Sequence, residues 1–188
     1  MTMAKCDDQD FPCQNVEYTA FDQVAGEELN HPISVSELVN GSSFCTELPV
    51  DDAFILGDMT HKLFLKGIRG KSGLYHLWVD GDHCDDHGNY AMLCVYVGKG
   101  LGQIRIDRHV RDKWPPSAQL YVTFTEMENR LSKYYEQLFL DTYAFQLNTN
   151  ENSGSEHLFA VWDEDRHHVG TELHAVASLT RIRSFDDL

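Results

Sequence analysis

Gly73-Leu74-Tyr75-His76-Leu77-Trp78-Val79 and Met92-Leu93-Cys94-Val95-Tyr96-Val97-Gly98-Lys99-Gly100 decide how this chain folds. Both runs are short, rich in β-branched and aromatic residues, and bounded by Gly and Asp, so both read as strands. The stretch between them, Asp80 to Asn89, is polar and turn-prone, which predicts neighbouring strands joined as a hairpin with a long loop. Lys99-Gly100-Leu101-Gly102 breaks the second strand, and a basic helix follows that carries Arg105 and His109 one turn apart on one face. Two tyrosines, a lysine, an arginine and a histidine then meet near the end of a small sheet. That is a cationic site lined with phenols.

Working outward, Ser34-Val35-Ser36-Glu37 has the form of a capping box and predicts a short helix ending near Asn40-Gly41. Residues 1–32 are acidic and without sustained periodicity, and read as a loosely ordered arm or a peripheral layer. Asp51 to Gly57 fits a strand or a helical turn. The basic helix stops before Trp114-Pro115-Pro116, because proline disfavours helical geometry in the residue before it. Ala118 to Phe124 alternates and reads as a third strand. Thr125, with Glu128 three residues on, offers a second capping box for a helix over Glu126 to Gln146. Met127, Leu131, Leu138 and Phe145 share one face of that helix, and Tyr135, Phe139, Leu140 and Tyr143 cover much of the other. Glu136 stands out there: a carboxylate among apolar neighbours must be paired, hydrogen-bonded or bound to metal. Arg130 or a tyrosine hydroxyl is the plain partner. His157 to Val169 predicts a hairpin turning through Asp163-Glu164-Asp165-Arg166, and Glu172 to Ile182 fits a helix or a last strand.

These residues resemble the GIY-YIG nuclease family. Gly73-Leu74-Tyr75 stands for the first tripeptide, Tyr96-Val97-Gly98 for the second, and Arg105-Ile106-Asp107-Arg108-His109 for the Arg-Leu-x-x-His of the helix that follows. Tyr134-Tyr135-Glu136-Gln137-Leu138-Phe139 is similar to the segment bearing the family's metal-binding Glu. Leu147-Asn148 is similar to its later Asn, with Asn150 and Asn152 as competing assignments. The resemblance implies an α+β fold with a small, mainly antiparallel three-stranded sheet flanked by helices. It spans about residues 66–152, leaving an acidic N-terminal extension over 1–65 that packs on or shields the core, and a C-terminal hairpin and tail over 153–188.

The chemistry the resemblance implies is metal-dependent hydrolysis of DNA phosphodiesters. Glu136 would hold Mg²⁺ or Mn²⁺, since Mg²⁺ keeps several waters and takes one or two carboxylates plus phosphate oxygens. Arg105 and Lys99 would stabilise charge on the phosphate. Tyr75 and His109 would position or deprotonate the attacking water, Tyr96 assisting; a tyrosine base needs its pKa lowered by adjacent cations. Arg69, Lys71, Arg108 and Asn148 would contact substrate.

Composition both opposes and supports this. The 188 residues carry a net charge of −15, which repels phosphate and argues against a plain nucleic-acid binder. The charge is unevenly spread. Residues 1–60 hold Lys5 against twelve acids, whereas 61–79 hold Lys62, Lys66, Arg69 and Lys71 with no acid. Residues 99–113 add Lys99, Arg105, Arg108, Arg111 and Lys113 against Asp107 and Asp112. Positive charge collects at the tyrosine motifs and marks an anion-binding face. The alternative is a catalytically silent relative whose acidic surface binds a basic protein partner or inhibitor, imitating DNA.

Five irregularly spaced cysteines do not form a disulfide framework, which points to a reducing, cytoplasmic setting. Secretion as an effector without a cleavable signal is compatible with the same residues. No apolar run approaches the ~20 residues that span a bilayer. His83-Cys84-Asp85-Asp86-His87, with three potential ligands on one loop, and the group His157, His167, His168 and His174 invite a zinc reading, but neither supplies the paired spacing of structural zinc.

Overall fold

In a computed structural model, which describes residues 6, 10–48, 64–114 and 119–171, the two motif runs are neighbouring strands of a larger sheet. The elements run α1 (Thr19–Glu28), α2 (Val35–Val39), β1 (Phe44–Leu48), a 3₁₀ turn (Lys66–Ile68), β2 (Ser72–Cys84) and β3 (Asn89–Leu101). They continue as α3 (Gly102–Lys113), β4 (Leu120–Glu126), α4 (Asn129–Thr142), β5 (Phe159–Asp163) and α5 (Glu164–His168). The sheet order is β1-β4-β2-β3-β5, and every neighbouring pair is antiparallel.

The α+β class holds, but the sheet has five strands rather than three. Both extensions contribute a strand to it: β1 pairs with β4 and β5 with β3. The predicted long loop is largely strand. Asp82, His83 and Cys84 pair with Ala91, Tyr90 and Asn89, so polar residues continue the ladder and only Asp85 to Gly88 turns. Asp82 and His83 stand partly or fully exposed at the far end of the hairpin, where a polar strand is cheap, while Cys84 beside them is buried. The predicted C-terminal hairpin is a strand followed by a short helix, because the Asp163 carboxylate accepts from Arg166 N and caps α5.

Ser34 makes the predicted capping box with Glu37. The Thr125–Glu128 box does not form. Thr125 and Glu126 pair with Leu74 and Gly73 in the sheet, which delays α4 until Asn129. Residues 1–32 are not merely an arm, since Phe21 and Ala25 of α1 are buried. The stretches Asp51 to Gly57 and Glu172 to Ile182 lie outside the described residues.

Two cores result. In one, Phe21 packs at 4.4 Å from Phe139 and lies near Tyr135 and Tyr143, with Leu74, Trp78, Val97 and Trp162 beneath. In the other, Tyr75, Leu77, Val95, Tyr96, Val122 and Phe124 meet Ile106 and Val110 of α3, with Ile68, Phe44 and Leu48 alongside. Among the described residues, α1 and α2 pack in the first core, whereas Tyr75 and Tyr96 belong to the second, and no helix is long and apolar enough to cross a membrane.

His76 carries a consequence for stability. Its ring is fully buried, edge-on to Phe139 at 4.7 Å, and its Nε2 has no hydrogen-bond partner among the described residues; burial lowers its pKa to about 3. In the unfolded chain it binds a proton near pH ~6.5. The folded-state pKa is the lower one, so neutral His76 is tolerated above that pH and stability is lost as pH falls toward 3. Between pH 7 and 4.5 the expected loss is on the order of 2–3 kcal/mol. Urea denaturation across this range should show a flatter dependence for His76→Leu; parallel curves would refute the assignment.

Candidate active site

Strand register brings the motifs together. Tyr75 pairs with Gly98 and Leu77 with Tyr96, which sets the two phenols diagonally on one face, ring centroids 6.0 Å apart. A β-bulge at Val95, between the Leu77–Tyr96 and Trp78–Cys94 pairs, adjusts that register. Gly98 is what lets the rings close over the strand: a Cβ there would lie 2.6 Å from the Tyr75 hydroxyl and 2.7 Å from the Tyr96 ring. Gly100, at φ +118°, turns the chain into α3 and leaves room for the Arg105 side chain, whose Cδ would stand 2.8 Å from a Cβ at that position.

From α3, His109 reaches the phenols. Its Nε2 is 3.1 Å from the Tyr96 hydroxyl, and its ring lies 4.7 Å from the Tyr96 ring and 6.2 Å from that of Tyr75. Lys113, one turn further on, stacks its ammonium 5.1 Å above the Tyr96 ring. Arg105 is exposed at the mouth and lies near the Tyr75 hydroxyl without completing a well-aligned hydrogen bond.

Glu136 comes from α4. Its carboxylate is 3.9 Å from Lys99 Nζ, each side chain about a quarter exposed (23% and 26%). Its charge also acts on Tyr96 and Arg105, raising the pKa of both. Its partner is therefore Lys99, not Arg130, and its charge joins it to the group of Tyr96 and Arg105 at one end of β3.

The electrostatics change the expected roles. Burial raises the pKa of Tyr75 and, less completely, Tyr96, and the Arg105 charge only partly opposes it. Neither phenol is poised to ionise near neutral pH. His109 moves the other way: burial first, then Lys113 and Arg105, lower it to about 4. Its ring is neutral at pH 7 with a nitrogen able to accept a proton. The basic neighbours expected to make a tyrosine the base instead keep the imidazole unprotonated. Glu136 is raised by burial, with Lys99 and Arg105 drawing it back down.

Asn148 bonds to the backbone of the second motif strand. Its amide oxygen accepts from Val97 N at 3.0 Å and its Nδ2 donates to Val97 O at 2.9 Å, as a neighbouring strand would. It fixes the backbone between Tyr96 and Gly98. Asn152 makes the same pair with Phe145 and Asn150 is exposed, so Asn148 is the one that supports the motif. Lys71 is paired with Glu126 at 3.4 Å, both exposed, while Arg69 and Arg108 are exposed. Sequence reading missed Lys113, whose spacing of four from His109 was the available signal.

Glu136 offers a divalent ion one partly exposed carboxylate, and the charged groups beside it, Lys99 and Arg105, are cations. Of the C-terminal histidines, His167 and His168 have a structural account instead, and His174 lies outside the described residues. His167 stacks on Tyr90 at 3.7 Å and sits 3.1 Å from the Asp80 carboxylate, and His168 lies 2.9 Å from the Tyr90 hydroxyl. Compared with protein-family models, with curated proteins and with solved structures, the chain matches none.

Proposed function

We propose that this chain is a metal-dependent endonuclease that hydrolyses DNA phosphodiester bonds. The observation that carries the reading is the convergence of Tyr75, Tyr96, Arg105, His109 and the Lys99–Glu136 pair at the end of β3. The order and identity of these groups are those of the GIY-YIG resemblance, and their approach in space needs no resemblance to be noticed.

Arg105, exposed and always charged, binds a phosphate through its planar fork. Lys99 balances Glu136 until substrate arrives, then faces the phosphate. Tyr96 Oη and His109 Nε2 share a hydrogen, so the imidazole accepts the proton of an attacking water directly or through the phenol. Tyr75, buried and protonated, holds the Tyr96 ring in place. A divalent ion held by Glu136 would polarise the phosphoryl group and stabilise the leaving oxygen.

The test is nicking of supercoiled plasmid at low salt with Mg²⁺ or Mn²⁺, followed from pH 5 to 9. Metal-dependent nicking with no rising limb toward the pKa of a phenol is expected; intact plasmid in both metals rejects the enzyme.

A second reading follows from the −15 charge and the twelve acids of residues 1–60: a silent relative that binds a basic protein. It predicts a salt-sensitive complex with such a partner and no metal-dependent nicking. Deleting residues 1–60 does not separate the readings, because β1 and the buried residues of α1 and α2 would go too.

A further inference from the structure

At the opposite end of the β2–β3 hairpin lies a second group of ligands unrelated to the tyrosines. Cys84 closes β2 and His87 sits in the turn, tightened by Gly88 N donating to Cys84 O at 2.8 Å with Gly88 at φ +62°. Cys6 and Cys13 arrive from the N-terminal segment. Cys6 Sγ lies 3.7 Å from Cys84 Sγ, 3.7 Å from Cys13 Sγ and 3.4 Å from His87 Nδ1. His87 Nδ1 is 3.3 Å from Cys84 Sγ and 3.8 Å from Cys13 Sγ. All four atoms lie within 4.8 Å of one another.

We infer that Cys6, Cys13, Cys84 and His87 form a structural zinc site that fastens the N-terminal segment to the β2–β3 turn. A tetrahedral zinc with bonds of ~2.3 Å to sulfur and ~2.0 Å to nitrogen needs ligand–ligand edges of about 3.5–3.8 Å. The five separations above run from 3.3 to 3.8 Å. Cys45 and Cys94, by contrast, are buried within the first core. Cys6, Cys13 and Cys84 converge on one ring nitrogen, from segments 78 residues apart.

The surroundings fit the same assignment. Cys6 N donates to Cys13 Sγ at 3.3 Å, which aims a backbone amide at one of the sulfurs. Asn89 Nδ2 donates to the Cys13 carbonyl at 3.0 Å and docks the segment on the hairpin. The Gln14 amide lies 2.7 Å from His87 Nε2; turned oxygen-inward it accepts the Nε2 hydrogen and leaves Nδ1 unprotonated toward the sulfurs. Four protein ligands close the coordination shell, the mark of a structural rather than a catalytic zinc. Thiolate and imidazole select zinc over Mg²⁺ or Mn²⁺, so this site is distinct from Glu136. Loading releases the three thiol protons to solvent, and the imidazole contributes a lone pair. In the sequence, His83 to His87 shows only one half of the site. The other half, Cys6-x₆-Cys13, lies in a different segment.

The test is elemental analysis of full-length protein purified under reducing conditions without chelator. One zinc per chain is expected, retained by Glu136→Gln and by His87→Cys and lost from Cys84→Ser. Because a cysteine variant can fail to fold, wild-type protein stripped of metal and reloaded with Co²⁺ supplies a second readout. Intense tetrahedral ligand-field bands with sulfur-to-cobalt charge transfer support the site. Three results overturn it: metal-free protein that takes up neither Zn²⁺ nor Co²⁺, full zinc occupancy in Cys84→Ser, or weak octahedral cobalt bands.

Discussion

Glu136→Gln is expected to lower metal-dependent cleavage by on the order of 10³-fold while leaving the fold intact. The substitution keeps the shape of the side chain and removes the carboxylate that faces Lys99 at 3.9 Å. Stability should change by less than about 1 kcal/mol, because a partly exposed ion pair contributes little and burial already disfavours this carboxylate's charge. Binding of DNA without a catalytic metal should hold or strengthen, since a negative charge leaves a site flanked by Arg105 and Lys99. Arg105→Ala should weaken binding and cleavage together. The pair of variants, followed by filter binding and by nicking, therefore separates loss of the ion from loss of the phosphate contact. Unchanged cleavage in Glu136→Gln would remove the carboxylate from the chemistry.

What the sequence disclosed and what it concealed divide along physical lines. The motif strands were legible because β-branched and aromatic runs between glycines have few alternatives, and the end of α3 because proline forbids its continuation. The need to pair Glu136 was legible from its apolar neighbours alone. The partner was not, because Lys99 comes close only once β3 is laid against α4. β1 and β5 escaped notice as members of the same sheet because edge strands are short and their pairing is non-local. The direction of the tyrosine shifts was hidden for a related reason: Arg105 is visible in the sequence, whereas burial of Tyr75 at 0% exposure is a property of the assembled core. The Cys/His cluster shows the same limit, since each half has an ordinary local reading and only the hairpin unites them.

Gly98→Ala tests whether the phenols are closed over the strand as the register requires. The added methyl would sit 2.6 Å from both Cζ and Oη of Tyr75 and 2.7 Å from Tyr96 Cε1. Neither ring can swing away cheaply. Tyr75 is fully buried among Phe124, Leu77 and α3, and Tyr96 is held by His109 and beneath Lys113. Overpacking of this kind costs about 1–3 kcal/mol, and a displacement of about 1 Å at a reacting group costs on the order of 10²-fold in rate. Both losses are expected together. Gly26→Ala is the matched control: it lies in α1 with nothing within 4 Å of the new methyl, so it should stabilise by roughly 0.5–1 kcal/mol. Tyr75→Phe removes one of the clashing atoms, so the double variant Gly98→Ala/Tyr75→Phe should be less damaged than the sum of its parts, measured by urea denaturation as a coupling of roughly 0.5–1 kcal/mol. Strict additivity, or a Gly98→Ala protein as stable and active as the parent, would mean that the rings do not lie over that glycine and that the tyrosine pair is not held for catalysis.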